Sequence, residues 1–142
     1  AAALACALLL SLAIRFPVEM GLPAKWNPLN RLYANRAAVQ ALLALRRPAE
    51  PLLADHYTTA SLLRFYAPDH PVVRIPTPSR YSQYDLWATN QPPSTPKGLY
   101  LAGSERGREL ARACGRAALL KVFAFGAPGF VPQTFYFYRC GA

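Results

Sequence analysis

The residues best equipped for ligand chemistry lie in one short run, Arg80, Tyr81, Gln83, Tyr84, Asp85 and Trp87. An arginine offers a planar fork of donors that matches phosphate or carboxylate in two bonds at once. Tyrosine and tryptophan add flat apolar faces with a polar tip, suited to a sugar ring or a lipid head group. Asp85 can accept sugar hydroxyls or hold the arginine in place. The same residues also allow a purely structural arrangement, with Arg80 and Asp85 as an ion pair and Tyr84 and Trp87 filling a small core beneath a loop.

Two other groups are weaker. Gly103-Ser104-Glu105-Arg106-Gly107 stands between an expected strand and an expected helix, where free backbone N–H groups can hold phosphate. It is neither G-x-G-x-x-G nor a Walker sequence, so an ordinary strand-to-helix turn accounts for it. Arg108, Arg112 and Arg116 follow at four-residue spacing, as a basic stripe or as a solvated face paired through Glu105–Arg108 and Glu109–Arg112. Asp55-His56 and Asp69-His70 are neighbours in sequence, which does not make a catalytic dyad. Ser61 and Ser82 have no evident base, and no catalytic residue is assigned.

The elements that must position these groups are legible in outline. Asn27 and Pro28 open a helix that runs to Arg47 and stops at Pro48. Its expected apolar side is Leu29, Leu32, Tyr33, Val39, Leu42 and Leu43, and its wet side Asn30, Arg31, Asn35 and Arg36. Residues 51–55 read as a buried strand. Asp55 is the expected cap of a helix from Tyr57 to Tyr66, with Leu62, Phe65 and Tyr66 inward. A strand around Val72, Val73 and Ile75 completes a βαβ unit, which implies a parallel pair. The 20 residues from Thr77 to Pro96 form a loop, unusually long for a compact domain unless it has a role. A strand at 98–103, a helix capped by Ser104 and stopped at Gly115, and strands at 117–125 and 134–140 follow. The expected fold is α/β, a small mixed sheet with a βαβ unit and flanking helices.

Composition narrows the class. At 142 residues and 53% apolar content the chain supports one packed domain rather than a disordered segment. Net charge is +9, carried almost entirely by arginine. That suits anionic partners, or solvated surface guanidiniums. No nucleic-acid motif is present, so no nucleic-acid partner is expected. The two histidines and three cysteines lack metal-ligand spacing, and no metal or other cofactor is expected. Cys114 and Cys140 can pair if the chain faces an oxidising compartment. Residues 1–15 carry no charge before Arg15. They read as the end of a transmembrane helix, the alternative being a buried core helix. Residues 16–26 then form an interfacial linker, with Lys25 and Trp26 suited to the membrane–water boundary, and residues 27–142 the α/β domain.

Three ordered motifs now stand out: Asn27-Pro28 with Arg31-Leu32; Asp55 with Tyr57, Ala60-Ser61, Phe65-Tyr66 and Pro68; and Arg80 with Gln83-Tyr84-Asp85 and Trp87. Over about residues 25 to 90 the chain resembles the C-terminal extracytoplasmic region of bacterial multi-pass glycosyltransferases of the protein-mannosyltransferase and aminoarabinose-transferase-like class. The resemblance implies a domain on the outer side of the bacterial inner membrane. It also implies that this domain is part of an enzyme that moves a sugar from a polyprenyl-phosphate donor to a lipid or protein acceptor. Tyr57, Arg80, Tyr84, Asp85 and Trp87 are then the ligand-contact candidates. The class carries its catalytic acids in the first extracytoplasmic loop of its membrane part, so none is carried over here. Ala34-Asn35 stand where the class commonly has Gly-Trp, which puts the packing of the first helix in doubt. The alternative is a non-catalytic α/β module that binds an anionic lipid or glycan.

Overall fold

The computed structural model describes residues 2–15, 23–27, 29–76, 83, 86 and 96–141. Five strands form one mixed sheet: β1 (Leu52–Ala54), β2 (Val73–Arg74), β3 (Gly98–Ala102), β4 (Ala117–Phe125) and β5 (Gln133–Cys140). Their spatial order is β2-β1-β3-β5-β4, with β2, β1 and β3 mutually parallel and β5 antiparallel to both β3 and β4. The α/β class and the parallel βαβ unit are as the sequence implies. The described helices are α1 (Ala2–Arg15), α2 (Asn30–Leu43), α3 (Tyr57–Tyr66) and α4 (Gly107–Cys114), with a short 3-10 turn at Ala24–Trp26.

Period-two alternation sends each strand's side chains to two separate cores. Leu52, Ala54, Leu99, Leu101, Phe135 and Phe137 pack under α2 and α3. Leu53, Tyr100, Ala102, Tyr138 and Cys140 pack under Leu110 and Cys114 of α4. With aromatics on both faces, β5 has to lie inside the sheet, and it does, between β3 and β4. Gly98 is required where β3 begins. Its φ is +144°, and a Cβ there would stand 2.3 Å from the Pro51 carbonyl oxygen, which accepts the Leu99 N–H at 2.9 Å.

Helix faces and ends depart from the sequence reading. The buried stripe of α2 is Ala34, Ala38, Val39 and Leu42, while Leu32 and Tyr33 are each 47% exposed. Small alanines let the helix approach its neighbours closely, which Leu32 and Tyr33 would prevent. On α3 the buried residues are Ala60 and Leu63; Tyr66 packs half-buried against the same core as expected, Leu62 is half-buried, and Phe65 is 71% exposed. Helix α2 stops at Leu43, short of Arg47. Pro48 disfavours helical backbone at Arg47, and the side chain of Arg46 turns to the Glu50 carbonyl and to Asp69. Helix α4 starts at Gly107 rather than after Ser104, and the Arg106 N–H just ahead of it donates to the Tyr138 hydroxyl at 3.3 Å. Its ion pair is Arg106–Glu109 at 2.8 Å, in place of the two pairs expected from spacing. Gly115, at φ +73°, ends the helix as read from the sequence.

Two covalent or ionic ties secure β5. Cys114 and Cys140 form a disulfide that joins the end of α4 to the end of β5. The Arg139 guanidinium donates to Glu50 Oε1 at 2.7 Å and to the Leu45 carbonyl at 2.8 Å, fastening the segment after α2 to the sheet. The pair is largely screened from water, with side-chain exposures of 15% and 10%. Burial pushes the Glu50 carboxyl up, but the Arg139 guanidinium and the Arg47 N–H outweigh it and hold the group below its usual 4.5.

Opening the disulfide should lower unfolding free energy by about 3.5 kcal/mol, from the chain entropy of a loop of this length. Urea denaturation with and without reductant measures it. Glu50→Gln should cost about 1.5–3 kcal/mol at neutral pH. Because the folded-state pKa is depressed, the carboxylate's contribution is complete above its unfolded value and fades as pH falls through the folded one. Stability curves of the parent and Glu50→Gln should therefore draw together as pH falls below the unfolded carboxylate value of about 4.3, and meet below the depressed folded one.

Candidate functional site

Strands β1 and β3 are neighbours whose following helices leave on opposite faces, α3 on one side and α4 on the other. In open α/β sheets the crevice beyond the carboxyl ends of two such strands is where ligands bind. The two ends are joined there. Asp55, one residue beyond β1, accepts the Gly103 N–H, one residue beyond β3, through Oδ2 at 2.9 Å. The Asp55 backbone N–H bonds to the Leu101 carbonyl at 3.3 Å.

This corrects the role of Asp55. The cap of α3 is His56, whose Nδ1 accepts the Thr58 N–H at 3.4 Å and stands 2.9 Å from Thr58 Oγ1. Asp55 is instead a buried carboxylate, 8% exposed. Its Oδ1 has no hydrogen-bond partner among the described residues, and neither does the buried Nε of Arg106. A buried acceptor left unpaired costs about 1–3 kcal/mol. Asp55 therefore holds more than the Gly103 turn requires.

A cleft of about 670 Å³ opens beside this junction, within the range of small-molecule sites. One wall is the first turn of α3, with Tyr57, Thr58, Thr59 and Ser61; the opposite wall is Arg31 and Asn35 of α2. Gly103 and the start of β5, Gln133 to Phe135, close the end. The His56 and Tyr57 rings stand 4.1 Å apart between centroids. The lining thus combines one guanidinium, hydroxyls and two side-chain amides, next to the positive end of α3. That set suits a ligand with both an anionic group and hydroxyls.

Of the ligand-contact candidates, Tyr57 lines this cleft. Arg80, Tyr84, Asp85 and Trp87 lie outside the described residues. The Gly103–Gly107 turn contributes Gly103 to the cleft, while Arg108, Arg112 and Arg116 are exposed on the α4 side. Among the described residues no group of His, Cys, Asp and Glu could hold a metal ion. Sequence reading had placed Arg31 and Asn35 on the wet side of α2. It had no means of showing that this side faces the wet start of α3. Gln133 and Thr134 carried no signal at all.

The wall formed by α2 is fixed by side-chain amides. The cap position of α2 is Leu29 rather than Asn27; Asn27 Oδ1 accepts the Leu29 N–H at 2.9 Å ahead of the helix, while its Nδ2 donates to the Gly129 carbonyl at 3.0 Å. Asn30 Oδ1 accepts the Val131 N–H at 2.8 Å, and Gln133 Nε2 donates to the Asn30 carbonyl at 3.4 Å. These bonds clamp the start of α2 to the β4–β5 connection.

No known protein-family model matches the chain, and no curated protein or solved structure matches it either.

Asn27→Ala should cost about 2 kcal/mol, since it removes both hydrogen bonds of a buried side chain together. Hydrogen exchange should show faster opening at the start of α2 and at 129–131, with β1 and β3 unchanged.

Proposed function

We propose that the chain is the extracytoplasmic C-terminal domain of a bacterial inner-membrane glycosyltransferase that uses a polyprenyl-phosphate sugar. The observation that carries this reading is convergence. Arg31 of the first motif of the resemblance and Tyr57 and Ser61 of the second are separate in sequence yet line one cleft, beside the Asp55–Gly103 junction at the carboxyl ends of β1 and β3. Arg31 supplies charge for a phosphate, the hydroxyl-lined wall suits the sugar, and Asp55 positions Gly103 of the lining. The cleft holds or orients donor or acceptor, while bond cleavage belongs to acids of the membrane part.

Two further features support the setting. The Cys114–Cys140 disulfide fits an oxidising compartment. On α1, Leu4, Leu8, Leu9, Leu10 and Leu12 are 40–76% exposed, a surface that water disfavours and lipid does not. No described helix is long and apolar enough to cross a membrane. At 14 residues α1 reaches about 21 Å, against the ~30 Å of a bilayer core. It would be part of an anchor, with residues 16–26 as the interfacial linker.

The test is sugar transfer in membranes containing the intact enzyme, normalised to disulfide-bonded protein. Asp55→Asn preserves the acceptor for Gly103 and should change stability by less than about 1 kcal/mol. Arg31→Ala, at an exposed position, should change it by less than about 0.5 kcal/mol. Arg31→Ala should reduce transfer at least about tenfold, the equivalent of one lost charged contact, and Asp55→Asn, which acts through the Gly103 turn, should reduce it by less. Transfer unchanged in both variants rejects the cleft's role. Binding of glycan or anionic lipid in an enzyme whose intact form transfers no sugar would favour the binding-module alternative.

A further inference from the structure

The clamp that fixes α2 also assembles an apolar rim that the cleft does not use. Trp26 is 66% exposed, Leu32 and Tyr33 are each 47% exposed, and Val131 is 36% exposed. The Tyr33 ring stands 5.3 Å from that of Phe130, which in turn meets Phe125 edge-on at 5.8 Å. Lys25 Nζ lies 5.9 Å from the Trp26 ring centroid. These residues come from two places about 100 positions apart, the entry to α2 and the β4–β5 connection. The bonds Asn27–Gly129 and Asn30–Val131 hold them together.

Nothing in the core needs Leu32 or Tyr33, because the buried stripe of α2 is made by Ala34, Ala38, Val39 and Leu42. A cluster of exposed indole, phenol and aliphatic groups beside a lysine has the chemistry of the membrane–water boundary. There, amphipathic rings sit at head-group depth and cations meet anionic lipid. The +9 net charge is complementary to such a surface. The bare leucines of α1 show that the same chain carries a second lipid-compatible surface.

We propose that the rim formed by Trp26, Leu32, Tyr33, Phe130 and Val131 seats the α/β domain on an anionic bilayer. This rests on the membrane-bound reading and deepens it by naming the contact face. The cleft shares its walls with the rim: Arg31 precedes Leu32, and Gln133 follows Val131 by two positions. Seating the rim places the cleft mouth at head-group depth, where a lipid-linked phosphate is presented.

The experiment uses the whole chain incorporated into vesicles of phosphatidylcholine with phosphatidylglycerol, some carrying brominated acyl chains that quench indole. Trp87→Phe leaves Trp26 as the remaining indole. Phe130→Trp, with both native tryptophans changed to Phe, reports the far side of the rim. Leu119→Trp in the same background reports β4, away from it. Expected are blue-shifted emission and at least twofold stronger bromolipid quenching for Trp26 and for Phe130→Trp than for Leu119→Trp. If the chain binds vesicles but the Phe130→Trp indole is quenched no more than that of Leu119→Trp, the rim is not the contact face. Failure of the chain to associate with vesicles at all overturns the membrane-bound reading and the rim with it. Quenching of Phe130→Trp that is abolished by removing lipid contact of α1 alone, in a variant with charged residues on α1, assigns the rim to a passive role and overturns the proposal.

Discussion

The structure depends on β5 running through the interior of the sheet. A strand there must satisfy backbone partners on both sides and bury side chains on both faces, and the apolar and aromatic run in QTFYFYRC does both. Each of its residues then reaches a different element. Phe135 and Phe137 enter the core beneath α2 and α3. Tyr138 accepts the Arg106 N–H at the entry to α4. Arg139 holds the turn after α2, and Cys140 is bonded to the end of α4. Gln133 reaches the start of α2. One strand therefore ties together both layers of helices and both walls of the cleft.

That arrangement explains how the molecule can keep a costly group at its crevice. Asp55 is buried with an oxygen unpaired among the described residues. Such a group persists when the surrounding packing over-determines its position. Here the parallel pair β1–β3, the Gly103 bond and the two cores above and below leave it little room to turn away. Rigidity supplied by β5 and the disulfide is thus the background against which an unfavourable carboxylate is retained.

Strand positions, the α/β class and the parallel βαβ unit were legible because runs such as GLYLA and FYFY have few alternatives once glycines and prolines bound them. Gly115 was legible because a left-handed stop is a local requirement. Helix faces were misread for one physical reason. Size was taken as a proxy for burial, whereas Ala34, Ala38 and Ala60 are buried because they are small, and Leu32, Tyr33 and Phe65 are left outside. Asp55 looked like a cap because capping is a local rule; a distant N–H, that of Gly103, competes for it successfully. Half of the cleft was visible as residue types, in Tyr57 and the wet side of α2. The other half, Gln133 and Thr134, arrives through strand order, which sequence spacing does not encode.

The interior place of β5 also sets a timetable. β2, β1 and β3 can pair with one another as they emerge, but β4 and the outer edge of β3 wait for a strand that is synthesised after them. Until Gln133–Cys140 is available, the chain presents two unpaired strand edges and an uncovered hydrophobic floor. With β5 in place the ladder is complete on both sides, and Cys140 lies within bonding distance of Cys114. The disulfide thus works as a seal on the finished sheet, fastening its last strand to the end of α4.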